Sequence, residues 1–297
     1  MSAKAPAGVL VALLLSAAML ASACGSTSSP APARATALAD TDAATPNPSA
    51  PLSAAAARTI QRTAKFTVTI PPAKPTLALA GRTITIDPGH NGGNFTHSQQ
   101  IARLVPDGNG EKECDTTGTA APDGYRETDF NWDVAVRLRA LLKAGGARVV
   151  MTRDSNTGVG PCVNERAAIG NRAHSDVAIS IHGDGGPPGG SGFAILAPAP
   201  IPSRSDQAII SPSAHLALKL RESLLGIGLH PSTYDGRHGI APRTDLGGLN
   251  LSKVPKVFVE VANMQNAADE APMERASFRE RVAHALAAGL THYLQRG

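Results

Sequence analysis

The chain has 297 residues, of which 42% are hydrophobic and 3% aromatic, and a formal net charge of +4. That length suits one α/β domain of ordinary size with extra terminal segments. A mild positive balance without a Lys/Arg block, and so few rings, argues against a nucleic-acid surface, and no nucleic-acid partner is expected.

The first segment reads as a targeting signal. Lys4 is the only charge before an apolar run at residues 9–23. The run is short for a bilayer span and has the length of a signal-peptide core. It ends at Ala21-Ser22-Ala23-Cys24-Gly25, similar to a bacterial lipobox but with Ala at position 21 where Leu is usual. Cys24 is therefore the lipidation candidate, and the alternative is an ordinary secretory signal cut nearby. Lipid on Cys24 would tether an exported protein to the outer face of the cytoplasmic membrane, in the cell envelope or periplasmic space. Residues 1–24 read as the signal peptide. Residues 25–75, rich in Ala, Pro, Ser and Thr, read as a disordered tether, and residues 76–297 as the folded domain. Within the tether, residues 66–70 read as a short strand or a packed arm, stopped by Pro71-Pro72.

From residue 82 onward, strand and helix patterns alternate. Residues 83–86 form a strand that runs into Asp87-Pro88-Gly89-His90. That stretch reads as a tight turn, since Pro presets φ and Gly accepts a positive φ. His90 is thereby placed at the carboxyl end of a buried strand, where α/β proteins build their sites. Residues 129–143 are helical, with Phe130, Val134, Leu138, Leu141 and Leu142 on one face, and Gly145-Gly146 end the helix. A strand at 147–151, a short helix at 164–173 and strands at 177–181 and 192–196 follow. A helix at 213–225 aligns Leu216, Leu220 and Leu224. Val257-Phe258-Val259-Glu260-Val261 is a strand that is apolar except for one carboxylate, and 273–295 is a long final helix. The expected fold is α/β: a single domain with a mostly parallel twisted sheet flanked by helices on both faces.

Cys114 and Cys162 remain in the exported part and are expected to pair. Closing such a loop stabilises by roughly 4 kcal/mol in the chain-entropy model. Neither has a Cys or His neighbour at ligand spacing, which disfavours metal ligation.

Three strands end on, or contain, a metal-competent or acidic residue: His90, His182 and Glu260. A buried, unpartnered Glu260 would cost several kcal/mol, so it must be paired, protonated or exposed at a cleft. Glu127 opens a helix, where the helix dipole alone would favour it. Two imidazoles and a carboxylate make a common catalytic zinc set with one position open, and a further carboxylate can move a proton. Glu260 fits that role, although spacing alone leaves the division of labour between Glu127 and Glu260 open. The other histidines, at 97, 174, 215, 230, 238, 284 and 292, lie in loops or on helices and read as surface or partly buried residues.

These residues resemble a known family. Ile86-Asp87-Pro88-Gly89-His90-Asn91-Gly92-Gly93 is similar to the IDPGHGG signature of Amidase_3-type zinc-dependent N-acetylmuramoyl-L-alanine amidases. Glu127-Thr128-Asp129-Phe130-Asn131, Thr152-Arg153, Arg166 with Asn171, Ser180-Ile181-His182-Gly183-Asp184, and Val257 to Val261 with Asn266 follow in the family's order. The resemblance, of the actinobacterial type, implies one Zn²⁺ held by His90, Glu127 and His182, with Glu260 as catalytic base. It also implies hydrolysis of the amide between N-acetylmuramic acid and L-alanine in peptidoglycan or muropeptides. Competing readings are a zinc peptidase cutting inside the stem peptide and a non-catalytic wall-binding lipoprotein.

The chain departs from the pattern at inserted Asn91, at Gly183-Asp184, and at Ala262-Asn263-Met264-Gln265. Residues 93–124 form a long polar insertion that a Cys114–Cys162 bridge would pin beside the cleft. Gly and Pro between His182 and the 213–225 helix disfavour the plugging helix of some relatives, so an open zinc site is expected. No second, wall-binding domain is apparent. A monomer that acts best on soluble muropeptides or loose strands is expected.

Overall fold

Alternation along three strands decides the architecture. The structure is a computed structural model that describes residues 77–204 and 207–295. In chain order it holds β1 (Thr83–Pro88), a one-turn helix α1 (Ser98–Ile101), β2 (Leu104–Pro106), β3 (Glu111–Glu113), α2 (Glu127–Ala144), β4 (Arg148–Met151) and α3 (Val163–Arg172). There follow β5 (Val177–Asp184), β6 (Ala194–Pro198), α4 (Ile210–Gly226), β7 (Ile240–Arg243), α5 (Gly247–Asn250), β8 (Lys256–Asn263), α6 (Ala267–Met273) and α7 (Ala276–Gln295). The expected signal peptide, Cys24 and the tether with its strand at 66–70 lie outside the described residues.

Six strands form one sheet in the order β4-β1-β5-β8-β6-β7. The first four run parallel, β6 is antiparallel to β8, and β7 is parallel to β6. The expected mostly parallel α/β sheet with helices on both faces is what is found.

Successive side chains of a strand point to opposite faces. Ile84 and Ile86 of β1, Val177, Ile179 and Ile181 of β5, and Val257, Val259 and Val261 of β8 are all fully buried in the main core. Val134 and Leu138 of α2, Leu216 and Leu220 of α4, and Val282 and Leu286 of α7 complete that core. Each such side chain contributes roughly 1.5–3 kcal/mol by leaving water. The intervening residues Asp87, Ser180, His182, Lys256, Phe258 and Glu260 turn to the other face, which α3 and α5 cover.

Two expectations need correction. First, β1 does not end at Ile86: Asp87 and Pro88 still pair with Ser180 and Ile181 of β5. Pro88 is tolerated because it takes the last strand position, where a missing N–H costs the ladder little. Second, the positive φ falls on His90, at 53°, and not on Gly89. Gly89 is needed because a Cβ there would lie 2.1 Å from Cε1 of His182.

The insertion at 93–124 is more structured than its polarity implied. It holds α1 and a small antiparallel sheet of β2 and β3, and Cys114 is bonded to Cys162 at the start of α3. The elements with no sequence signal, α1, β2, β3, α5, α6 and β7, span only three to seven residues, too few to display a period. Among the described residues no helix is long and apolar enough to cross a membrane.

Candidate metal centre and catalytic cleft

The carboxyl ends of β1, β5 and β8 deliver three groups to one place. His90 follows β1, while His182 and Glu260 are register partners on β5 and β8. The fourth group, Glu127, arrives from the first turn of α2, where its charge also suits the helix dipole. Glu127 Oε1 lies 2.9 Å from His182 Nδ1 and 3.5 Å from His90 Nε2. One ligand atom from each of His90, Glu127 and His182 lies within 4.8 Å of the others.

Both rings are aimed by the partner of their second nitrogen. His90 Nδ1 is 2.9 Å from Asp115 Oδ1, an acceptor-only carboxylate, so Nδ1 carries the proton and donates. His182 Nε2 is 3.2 Å from Ser180 Oγ, whose own proton goes to Asp87 Oδ2 at 3.1 Å. His182 Nδ1 donates to Glu127 Oε1 at 2.9 Å, and His90 Nε2 faces the same oxygen at 3.5 Å. Metal-binding histidines are held in this way. The left-handed backbone of His90 is restrained by Arg166, whose Nη2 donates to His90 O at 2.9 Å.

The charges follow from these neighbours. Burial opposes ionisation of Glu127, but the His90 charge and the hydrogen bond from His182 outweigh it and hold the carboxyl down to about 2. For His90, burial lowers the pKa, yet the charges of Glu127 and Asp115 raise it overall. A cation bound here would compete with those protons. Asp87 is also buried, and Lys256 and Arg166 push it far below the usual carboxylate range. Its carboxylate accepts from Lys256 Nζ at 2.8 Å, Arg166 Nη1 at 2.8 Å and Thr152 Oγ1 at 2.7 Å.

Glu260 has the opposite surroundings. Its Oε2 is buried with no hydrogen-bond partner. Burial first, then the charges of Glu127, Asp184 and Asp235, raise its pKa well above the usual carboxylate value. A cation at the Glu127 cluster would oppose that rise. Glu260, His90 and His182 line a cleft of about 250 Å³, with Phe258, Leu246 and Val163 as apolar walls and Lys112 and Glu113 of β3 at one side. The Phe258 ring stacks on His182 with centroids 5.1 Å apart. Between β5 and α4 the described residues hold β6 and turns but no helix.

The structure thus brings His90, Glu127, His182 and Glu260 together and places the Cys114–Cys162 bridge beside them. Arg153 and Arg166 serve the β1 turn: Arg153 Nε and Arg166 Nη1 both donate to Pro88 O, at 3.1 and 2.8 Å. Asn171 and Asn266 do not reach the cleft. Asn171 ties Leu251 O and Lys253 N, and Asn266 caps α6.

The departures from the family pattern have local causes. A Cβ on Gly183 would sit 3.0 Å from Met264 Sδ and 2.8 Å from Met273 Cε, so Gly183 makes room for Met264. Asp184 accepts a hydrogen bond from Tyr234 at 2.6 Å. Gln265 Nε2 holds Thr119 Oγ1 and Ala120 O, next to the Thr119 N–H that binds Glu127. Asn91 donates to Asp115 Oδ2 at 3.2 Å.

Sequence reasoning gave no role to Asp87, Asp115, Ser180 or Lys256. Asp87 and Ser180 carried a faint signal, as polar residues inside apolar strands. Lys256 looked like a strand flank, and Asp115 was marked only by adjacency to Cys114.

Comparison with known proteins shows the family. Residues 84–292 match the Amidase_3 family model, described as N-acetylmuramoyl-L-alanine amidase. The N-acetylmuramoyl-L-alanine amidase Rv3717 of Mycobacterium tuberculosis is 42% identical over 217 residues, covering 73% of this chain and 88% of that one. The crystal structure of the N-acetylmuramyl-L-alanine amidase Ami1 from Mycobacterium smegmatis aligns with TM-score 0.70 and 42% identity, over 74% of this chain and 99% of that one. The apo amidase of Mycobacterium abscessus aligns with TM-score 0.68 and 43% identity, over 73% and 100%.

Proposed function

The chain belongs to the Amidase_3 family of N-acetylmuramoyl-L-alanine amidases, and on that premise we propose that it hydrolyses the amide joining the lactyl group of N-acetylmuramic acid to L-alanine in peptidoglycan or muropeptides. Such a substrate lies outside the cytoplasmic membrane. Residues 76–297 form the catalytic domain in this reading, with 1–24 directing export, 25–75 acting as a tether and Cys24 as the lipidation candidate.

The donor set of two imidazole nitrogens and one carboxylate, each second nitrogen already engaged, fits Zn²⁺. His90, Glu127 and His182 would hold it. When bound, the ion would polarise the scissile carbonyl and lower the pKa of a water molecule.

The rest of the work falls to this chain's own residues. Glu260 takes a proton from the attacking water and delivers it to the departing L-alanine amine, which leaves as a free amino terminus. Its Oε2 is buried at the cleft with no hydrogen-bond partner, so no protein donor competes for the lone pair that takes the proton. Phe258 keeps the His182 ring in place, and the apolar walls of the cleft exclude bulk water.

The observation that carries the reading is the pairing of a preorganised three-donor cluster with a buried carboxylate whose Oε2 has no partner. The test is mass spectrometry of the products from a defined muramyl peptide, with and without chelator. Release of the intact stem with a free N-terminal L-alanine, lost on chelation, is expected. Cuts inside the stem would favour the peptidase reading. Natively purified protein free of zinc and without turnover would favour a wall-binding role.

A further inference from the structure

The disulfide-closed excursion between β1 and α2 feeds one side chain into the metal centre. Asp115 directly follows Cys114, and Cys162 directly precedes α3. Asp115 is 5% exposed, and four donors converge on its carboxylate. His90 Nδ1 at 2.9 Å and Thr116 N at 2.8 Å reach Oδ1, while Asn91 Nδ2 at 3.2 Å and Arg166 Nη2 at 3.3 Å reach Oδ2. Arg166 stands four residues past Cys162, and Val163 N donates to Cys114 O at 2.8 Å. The bridge therefore joins the residue before Asp115 to the residue before α3, the helix whose Arg166 holds the Asp115 carboxylate.

We propose that Asp115 is the positioning residue that fixes His90 with Nδ1 protonated and Nε2 turned toward Glu127, and that the Cys114–Cys162 bridge keeps Asp115 in that place. The proposal rests on the reading of His90 as a zinc ligand. The other polar neighbour of His90 Nδ1 is Thr116 Oγ1, at 3.3 Å. A hydroxyl can donate or accept, so it would leave either ring tautomer available, whereas an ionised carboxylate accepts only. The excursion has little apolar anchorage of its own. Val105 and Cys114 pack with Cys162 and Val163, Ala121 reaches the edge of the main core, and Ile101 is buried. Without the bridge, the segment regains chain entropy that opposes fixing Asp115 in place.

Orienting partners of this kind are worth roughly 10- to 100-fold in metal affinity. The experiment measures zinc affinity by chelator competition for the parent, Asp115→Asn, the pair Cys114→Ser with Cys162→Ser, and the three changes combined. Asp115→Asn in the bridged chain should weaken zinc by about that factor. The serine pair should weaken it comparably, and the triple variant should lose little more than the pair alone, because Asp115 is already displaced. Nitrogen-15 NMR of labelled histidine supplies a second readout: a single Nδ1-protonated ring for His90 in the parent, and a mixture of tautomers in Asp115→Asn. Should the serine pair fail to fold, folded enzyme reduced and capped with iodoacetamide takes its place. Asp115→Asn binding zinc as tightly as the parent, an unchanged tautomer, or fully multiplicative losses in the triple variant would each overturn the proposal. None of these readouts needs turnover. A chain that binds zinc normally but leaves muramyl peptides intact would count against the amidase reading alone.

Discussion

The two faces of the central sheet are made from the same three strands and are chemically opposite. On one, β1, β5 and β8 present Ile84, Ile86, Val177, Ile179, Ile181, Val257, Val259 and Val261 to three long helices. On the other, the same strands present Asp87, Ser180, His182, Lys256 and Glu260 to two short helices. The apolar face is interchangeable in kind: any well-packed hydrophobe of similar size would serve. The polar face is not. Each carboxylate there has its own surroundings, and these separate its members. Asp87 is surrounded by cations and donors, whereas Glu260 Oε2 has none. Near-complete satisfaction marks a scaffold group. An unpartnered, buried carboxylate is the kind of residue chemistry requires.

Substitutions on the two faces should therefore fail differently. The largest effect is expected from Glu260→Gln, which keeps shape but cannot carry a proton. Turnover of a muramyl peptide should fall about 10²- to 10⁴-fold while metal content stays at the parental level. Near-normal cleavage would remove Glu260 from its role and erase the contrast with Asp87.

Asp87→Asn comes next, and here the loss should appear in stability. It leaves Lys256 buried without its counter-charge and Arg166 with Asp115 alone, at a cost of about 3–5 kcal/mol at neutral pH. The folded carboxyl is depressed, so its contribution is fully present above the unfolded value of about 3.9 and fades as pH falls below that. The gap between parent and variant in urea unfolding should thus narrow from about pH 4 downward. A gap independent of pH would mean that the ion cluster is not what Asp87 supplies.

On the apolar face, Ile179→Ala should cost about 3 kcal/mol from burial and cavity terms. Well below the melting transition, kcat/KM should remain parental, because no cleft residue moves with it. A marked loss of turnover in folded Ile179→Ala would show that the two faces are not separable. The smallest effect is expected from Tyr234→Phe, which removes the donor to Asp184 and should cost about 1.5 kcal/mol or less. The thermal midpoint reads it directly.

Much of this was legible in the chain. The alternation of Ile84 with Thr85 and Val257 with Phe258, together with the helical spacing of Val134 and Leu138, is local information and survives without a structure. His90, His182 and Glu260 stood out as polar groups in or just past apolar strands. Glu127 was separated from Glu260 only by family resemblance, since a helix N-terminus explains an acidic residue equally well. The Pro-Gly turn was misread in detail, because the need for glycine at position 89 comes from a histidine ring on the neighbouring strand.

The chain by itself determined which segments are strands, which side chains along them alternate, and which strand ends carry imidazole or carboxylate. These follow from periodicity and propensity within a few residues. Only the tertiary structure decided which of the two alternating sets became the core and which charge each buried carboxylate meets. Lys256 and Asp87 form an ion pair across 169 residues of sequence, and Asp115 reaches His90 from within an excursion closed by a disulfide. Such partnerships are set by strand order and loop closure, which no local pattern encodes.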